Sequence, residues 1–480
     1  MSRTGTGERR VRAIALPVVA LLLATCQGAA APSPALSLAV DRLARGEVEP
    51  VEREARRLLA LDARDPTGHA LSGLVHLKRA RRQRFPAGVT VAGQAQVSWD
   101  LVELARAEQL LGAAVAADPS LVPALDGLLS ALVETGRFGD ALTLVETIPG
   151  RILSEAHAGV LARAVDLIVV AKDRDGCSRA AKILLERLPT SPTARRCAAW
   201  ALIHVGQLAR ARELTLLWRA ADPGSATWAL LLGEIEILDG RFADASRALE
   251  TPASDDRLAV LRAFTSAAQG ESRAPSLLAA VRTKAEAMGI DEGRLYRLLS
   301  TSPPVDSLSN EAANLLAVRK FVLAAIALRS VRQRGAWTDR EQLLLADLHF
   351  GLDDFEGEAA AMRPMTDRAA RGERLAAACT VGECYLRLGR ALYHAGRHAE
   401  GDRAFREGVR AGKNDAQIFF HIGKNLEAAG RRAEALAAFE KAASFSSAAV
   451  HAERARLKLR ATGRSPAASA TASPGASPRR

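Results

Sequence analysis

The strongest constraint on the fold is an internal repeat with a period of 34 residues towards the carboxyl end of the chain. The residue type recurs position by position: Leu388, Gly389, Gly396 and Phe405 are followed one period later by Ile422, Gly423, Gly430 and Phe439. The same period separates Gly206 from Gly240. Repeats of this length are typical of proteins in which one small unit is stacked many times. The chain is therefore predicted to be built from such units.

Each unit is predicted to be two short amphipathic helices around a glycine turn. Tyr385, Leu388 and Leu392 follow the spacing of one buried helical stripe. Gly396 supplies the positive φ at which the first helix stops, and Phe439 shows how the second helix of a unit fills the gap to its neighbour. One such hairpin cannot bury its own stripe, so stacking must supply the core.

These residues resemble tetratricopeptide repeats (TPRs), which have this period, the Leu-Gly pair, the glycine in the turn and the aromatic residue. The resemblance covers about 380–446 best and extends to about 120–150 and 192–253. It implies an all-α fold, a right-handed superhelical solenoid of antiparallel helix pairs. TPR proteins usually bind peptides on the inner, concave surface of the stack.

Composition and charge agree with this interpretation. The chain of 480 residues is 48% hydrophobic but only 4% aromatic, which is too few rings for β-sandwiches or barrels of this size. The net charge of +12 is mostly terminal, because 1–12 carry +3 and 451–480 carry +6, which leaves +3 for 13–450. Nucleic-acid binding needs cations clustered along an extended surface, so no nucleic-acid partner is predicted.

Proline and glycine divide the chain into predicted segments. An N-terminal degenerate array of TPR-like helices is assigned to 36–299, with an irregular insertion at 86–99. The adjacent prolines Pro303 and Pro304 mark a linker at 300–310. A C-terminal array follows at 311–460, with its best repeats at 382–447, and a Ser/Ala/Pro-rich disordered tail at 461–480 ends the sequence.

The first 26 residues have the layout of a signal peptide. An Arg-rich start precedes the apolar stretch 13–24, which is too short to cross a bilayer. Leu23 to Cys26 resembles a bacterial lipoprotein box, which implies acylation of Cys26 and a flexible tether at 27–35. The alternatives are cleavage near 28–30, which gives a soluble exported protein, and an apolar start that is retained. The prediction is a periplasmic protein or membrane-anchored lipoprotein, with a cytoplasmic location as the alternative.

No motif for chemistry accompanies the repeats. The sequence has no C-x-x-C or H-E-x-x-H spacing, no nucleophile elbow and no phosphate-binding loop. Cys379 and Cys384 are interpreted as lying on one helix without sharing a face, and Cys177 and Cys197 as too far apart for a disulfide. All four are predicted to be small buried side chains. The chain is therefore predicted to be no enzyme and to need no cofactor or metal.

Binding remains as the predicted function. On the first helices of the two best repeats, a second face lies about 115° from the buried stripe, and the resemblance places it on the concave surface. The predicted partner-binding residues are Leu386, Arg390, Tyr393, Phe420, Lys424 and Glu427. A cation beside an apolar or aromatic side chain suits an extended peptide that carries a carboxylate.

The function predicted from these features is that of an exported TPR scaffold, with or without a lipid anchor, which mediates protein–protein interactions in a cell-envelope assembly. Two alternatives stay open. One is a cell-wall- or polysaccharide-associated helical-repeat protein with or without enzymatic activity, and the other is a cytoplasmic regulatory TPR domain.

Overall fold

A computed structural model describes most of the chain between the two termini. The described residues are 34–83, 90–91, 94–95, 97–150, 153, 155–170, 173–251, 254–301, 303–335, 337–375, 379–446 and 450–461. The predicted signal peptide with Cys26, the tether except for residues 34 and 35, and the tail beyond residue 461 lie outside them. The chain divides into two compact units, Met1–Val205 and Gly206–Arg480.

The first unit consists of nine described helices and two small antiparallel ribbons. The helices are α1 (Pro34–Ala44), α2 (Val48–Leu61), α3 (Pro66–Ala80), α4 (Leu101–Ala117), α5 (Val122–Glu134), α6 (Phe138–Thr147), α7 (Glu155–Val170), α8 (Arg174–Arg187) and α9 (Pro192–Ile203). The strands are β1 (Arg81–Gln83), β2 (Thr90–Val91), β3 (Gln94–Ala95) and β4 (Val97–Trp99).

The insertion predicted at 86–99 is short extended structure where it is described. Strand β1 pairs with β4, with Arg81 opposite Trp99, and β2 pairs with β3, with Thr90 opposite Ala95. Helices α3 and α4 on either side still pack against each other. Asp100 begins α4 by accepting hydrogen bonds from two backbone amides of its first turn, which is the usual way to satisfy a helix start. The insertion therefore extends one helix pair without breaking it.

The second unit consists of fifteen described helices. They are α10 (Leu208–Ala221), α11 (Ala226–Leu238), α12 (Phe242–Leu249), α13 (Asp256–Gln269), α14 (Ala274–Met288), α15 (Ile290–Thr301), α16 (Val305–Ala317), α17 (Phe321–Gln333), α18 (Asp339–Gly351), α19 (Phe355–Ala370), α20 (Val381–His394), α21 (His398–Arg410), α22 (Ala416–Ala428), α23 (Arg432–Ala443) and α24 (Val450–Ala461). Most of them pack chiefly against a helix adjacent in the chain, and α17 also packs against α11 and α13.

The linker predicted at 300–310 needs correction. Helix α15 continues to Thr301 and α16 begins at Val305, so only a short break separates the two helices. Pro304 is the residue that precedes α16, with an extended backbone (φ −52°, ψ 145°). Proline cannot continue a helix but is well suited to its start. The boundary between the compact units lies instead at 205–206, inside the predicted N-terminal array.

A recurring turn joins the two helices of a pair. Gly396 has φ +77°, and the amide of Arg397 after it donates to the carbonyl of Leu392, at 2.8 Å. This is the six-residue closure that ends many helices. The same backbone bond closes the turns at Gly136, Gly240, Gly270, Arg319, Asp353 and Gly430. The predicted all-α architecture of antiparallel helix pairs is thereby confirmed, apart from the short strands of the insertion.

Candidate functional site

The two best repeats are the helix pairs α20–α21 and α22–α23. A Cβ atom added to Gly389 would lie 2.5 Å from the ring of Phe405, and one added to Gly423 would lie 2.6 Å from the ring of Phe439. Any larger residue would push the second helix away, since real Cβ atoms are not found so close to other heavy atoms. The glycines therefore stand where the sequence predicts close helix packing.

Two of the predicted partner-binding residues, one from each repeat, lie next to each other. The ammonium group of Lys424 on α22 lies 4.9 Å from the ring centroid of Tyr393 on α20. This distance fits a cation–π contact between neighbouring first helices. Arg390 and Lys424 are both partly exposed on this face, so two cations occupy equivalent positions in successive repeats.

Two of the predicted partner-binding residues are core residues and need correction. Leu386 has no exposed surface and packs with Phe405 and Ile418. Phe420 is 7% exposed, and its ring lies 5.8 Å from that of Phe439 and 5.6 Å from that of His451. Helix α24, which carries His451, covers Phe420. The helical spacing in the sequence did not show that neighbouring helices cover both residues.

Glu427 lies apart from the two cations. It is exposed and its carboxylate accepts a hydrogen bond from the ammonium group of Lys458, at 2.9 Å. Both residues line a cavity of about 340 Å³ between α22, α23 and α24. The predicted set therefore divides into the buried Leu386 and Phe420, the separate Glu427, and a remaining group on the open face.

That group extends into a larger basic cluster. We call it the basic groove and define it by two cations, three histidines and two aromatic residues: Arg390, Lys424, His394, His421, His451, Phe350 and Tyr393. The guanidinium of Arg390 lies 5.6 Å from the ring centroid of Phe350, which is 38% exposed at the end of α18. The rings of His421 and His451 are 5.5 Å apart. Helices α18, α20, α22 and α24 thus each contribute to one surface.

Two of the histidines in the basic groove, His421 and His451, have a lowered pKa. Burial lowers the pKa of His421 to about 3, with further lowering by the positive charges of Arg390 and Lys424 and by His451 and His394. Burial also lowers the pKa of His451, and Arg454 and Arg390 add to the effect. A positive field of this kind disfavours any further cation. The groove is therefore suited to an anion and unsuited to a metal ion.

A buried carboxyl group lies behind the two arginines of α20. Glu358 on α19 is 4% exposed, and burial raises its pKa to about 7. The guanidinium of Arg387 lies 3.6 Å from Glu358 and 2.7 Å from Asp347. Arg387 and the nearby Arg390 offset only part of the burial effect. Glu358 is thus half protonated near neutral pH.

Sequence reasoning missed Phe350, Glu358 and the three histidines. Phe350 stands three residues before the turn residue Asp353, as Tyr393 does before Gly396. This signal was present but hidden, because the turn residue is an aspartate with φ +54°. The histidines follow no repeat spacing, so only the packing of α20, α22 and α24 brings them together.

The prediction for Cys177 and Cys197 is confirmed, and the one for Cys379 and Cys384 is wrong. Cys177 and Cys197 are buried as predicted. Cys379 and Cys384 are wrongly placed on one helix by the sequence interpretation, because α20 begins only at Val381. Their Cα atoms lie 6.2 Å apart and their sulfur atoms are in disulfide contact, which agrees with the usual spacing for such a bond. Residue 379, being outside the helix, is able to turn back towards the buried Cys384.

Two further features concern the described residues only. Within them, no three His, Cys, Asp or Glu side chains are arranged to hold a metal ion. No helix in the same ranges is long and apolar enough to span a membrane.

Comparisons with known proteins give similarity to solved structures only. No protein-family model and no curated protein matches the chain. Among solved structures, a tetratricopeptide repeat protein from Parabacteroides merdae ATCC 43184 is similar with a TM-score of 0.26 and 14% identity, over 58% of this chain and 98% of that one. Yeast Tom70 is similar with a TM-score of 0.30 and 10% identity, over 89% and 95%. The Cut9–Hcn1 hetero-tetramer of the APC/C is similar with a TM-score of 0.27 and 13% identity, over 88% of this chain and 89% of that one.

The chain is a TPR-like helical-repeat protein. Its own repeated turns, glycine–aromatic contacts and antiparallel pairs carry this assignment.

Proposed function

We propose that this protein is a scaffold that binds an acidic segment of a protein partner in the basic groove. The observation that carries the proposal is the pair of partly exposed cations, Arg390 and Lys424, at equivalent positions of adjacent repeats. Carboxylates form strong hydrogen bonds with such groups. Phe350 and Tyr393 beside them offer ring surface to apolar side chains of the same segment.

The groove geometry favours an extended segment over a single small anion. The two cations lie on different helices, and aromatic rings contact both of them. An extended chain with carboxylates on alternate residues would contact both cations in turn. The proposal is for a binding protein, and we propose no enzymatic activity.

Fluorescence anisotropy with a labelled peptide of alternating leucine and aspartate residues tests this proposal. Binding should be lost in the double variant R390Q/K424Q, because both carboxylate receptors are removed. A matched control is R403Q/R432Q, which removes two exposed arginines from the second helices of the same repeats. Undiminished binding by R390Q/K424Q, or equal loss in the control, would rule out the groove as the receptor.

We further propose that the protein is exported and acts in a cell-envelope assembly, with Cys26 as the site of lipid attachment. The Arg-rich start, the short apolar stretch and the lipoprotein-like box support export. The disulfide contact of Cys379 with Cys384 is a second support, since disulfides persist mainly in oxidising compartments outside the cytoplasm.

Processing of the N-terminus tests the export proposal. The mature protein from envelope fractions should begin at or soon after Cys26, and C26S should abolish membrane retention. Recovery of the intact N-terminus from cytosol would contradict export. Normal retention of C26S would contradict the lipid anchor alone.

A further inference from the structure

We propose that the basic groove takes up protons when it binds an acidic segment, so that it holds its partner more tightly as the pH falls. This inference rests on the proposed function, because it concerns the regulation of the same site. It has two independent structural sources, one on α22 and α24 and the other on α19.

The first source is the histidine pair His421 and His451, whose rings lie 5.5 Å apart. His421 faces Arg390 and His394 from α20, Lys424 from its own helix and His451 from α24. All of these neighbours are cationic or can become so, and they disfavour a further positive charge. A carboxylate placed among them reverses the local field and favours the protonated ring.

His451 has a more mixed environment. Arg454 on its own helix, Arg390 on α20 and Lys413 before α22 lower its pKa, while Asp415 raises it. His451 is partly exposed at the edge of the groove. Between His421 and His451, it is the one that a bound carboxylate reaches with the smaller desolvation, and protonation there brings a third cation to the ligand.

The second source is Glu358. Its charged neighbours are Asp347 from α18 and Arg387 and Arg390 from α20. When ionised, Glu358 offsets part of the positive charge that an incoming carboxylate requires. Protonation removes this competition, so a bound anion favours the protonated carboxyl group.

Both sources act in the same direction. Binding raises the proton affinity of the histidines and of Glu358, and thermodynamic linkage then requires that protons strengthen binding. Uptake of one proton corresponds to about a tenfold gain in affinity for each unit of pH in the range where uptake occurs. Because the pKa of Glu358 before binding is about 7, uptake by this group falls off as the pH drops through about 7, and the gain between about pH 8 and about pH 6 is about tenfold.

The experiment measures binding of the leucine–aspartate peptide at about pH 8 and about pH 6. The carboxylates of the peptide stay ionised throughout, because the ordinary pKa of aspartate is about 4. We expect binding to tighten by about tenfold at the lower pH. Calorimetry in two buffers of different ionisation enthalpy should show net proton uptake.

Variants separate the two sources. E358Q should bind several-fold more tightly than the wild type at about pH 8 and should show a weaker pH dependence. The triple variant E358Q/H421Q/H451Q should bind with almost no pH dependence. The matched control is E356Q, which removes an exposed carboxylate from the same helix, where it pairs with Arg397 at 2.8 Å, and it should keep the wild-type pH dependence.

The outcomes are distinct for the two proposals. Binding that requires Arg390 and Lys424 but does not change with pH would overturn this inference and leave the proposed function standing. A pH dependence that survives in the triple variant would also overturn it. If the wild type binds the peptide at neither pH, both proposals fail. Circular dichroism of each variant confirms that the helices are retained.

Discussion

One repeat position is buried in one stretch of the second unit and partly exposed in another. In the pairs α11–α12, α13–α14, α20–α21 and α22–α23, the sixth residue before the turn glycine occupies an equivalent position on the first helix. In α11 and α13 these residues are Glu234 and Phe264, and both are buried. In α20 and α22 they are Arg390 and Lys424, which stay partly exposed. The difference follows from what covers the helix.

The earlier stretch has an additional packing partner in helix α17. This helix packs directly against α11 and α13, and its Arg329 lies 5.5 Å from the ring centroid of Phe242 in α12. Ten of the thirteen residues of α11 are buried among its neighbouring helices. Over α22, helix α24 covers Phe420 but leaves Lys424 partly exposed, as Arg390 on α20 is. A repeat position is thus a binding position only where the stack leaves it open.

The largest expected effect is the difference in stability loss between truncating Phe264 and truncating Lys424 at this position. F264A should lower the free energy of unfolding by about 3–5 kcal/mol, because a fully buried ring is lost and a cavity remains. K424A should cost no more than about 1 kcal/mol, the value of its contact with Tyr393. Urea unfolding of the two variants measures the difference, and equal losses would break the comparison.

The buried acids of the two stretches should respond oppositely to neutralisation. The raised pKa of Glu358 means that its ionised form destabilises the fold above about pH 7, and that this cost is absent below its ordinary value of 4.5. E358Q should therefore raise the stability at about pH 8 by about 1–3 kcal/mol and leave it almost unchanged at about pH 4. Melting curves at the two pH values measure this.

Glu234 provides the contrast for Glu358. The carboxylate of Glu234 accepts a hydrogen bond from Arg257 at 2.8 Å. The carboxyl group of Glu358, in contrast, lies 3.6 Å from the guanidinium of Arg387. E234Q should lower the stability by about 1–2 kcal/mol, because a charge-assisted hydrogen bond is weakened. If E234Q and E358Q shift the melting temperature in the same direction at about pH 8, the contrast drawn between the two buried acids is wrong, because burial alone then sets the effect of each charge on stability.

A smaller effect is expected at the helix contacts. A Cβ atom at Gly423 would meet the ring of Phe439 at 2.6 Å, and one at Gly233 would meet a methyl group of Leu249 at 2.5 Å. A leucine side chain is able to change rotamer more easily than a packed ring can move. G423A should therefore cost about 1–2 kcal/mol, while G233A should cost less than about 1 kcal/mol, since alanine also favours the helix. Thermal denaturation of both variants tests the order.

The smallest effect is expected at Glu427. Its ion pair with Lys458 is exposed at both partners, and such pairs contribute about 0–1 kcal/mol. E427Q should change the melting temperature very little and leave binding of the acidic peptide intact, because Glu427 lies outside the basic groove. Loss of peptide binding in E427Q would extend the groove to the neighbouring cavity.

The sequence predicted the local features of the repeats well. Gly396 and Gly430 adopt the expected turn, and Gly389 contacts Phe405 as its place within a helix implied. Turns at Arg319 and Asp353 escaped detection because no glycine marks them. A residue other than glycine in this conformation is unusual, and only its surroundings reveal it.

The candidate site was predictable in part. The spacing identified Arg390, Tyr393 and Lys424, which lie together, but it also selected Phe420, which α24 covers. Burial of this kind depends on contacts between helices that no repeat period encodes. The closed face of α11 and α13 was unpredictable for the same reason, since α17 follows Phe264 by more than fifty residues.

Photo-crosslinking of the acidic peptide to the full chain tests the central claim most directly. The claim is that the inner face is a receptor over α20 and α22 and is closed over α11 and α13. A leucine–aspartate peptide with a photoreactive group at its centre should crosslink to residues of α18, α20, α22 or α24, and R390Q/K424Q should abolish these products. Crosslinks that map to α11 or α13, or that persist in the double variant, would contradict the account.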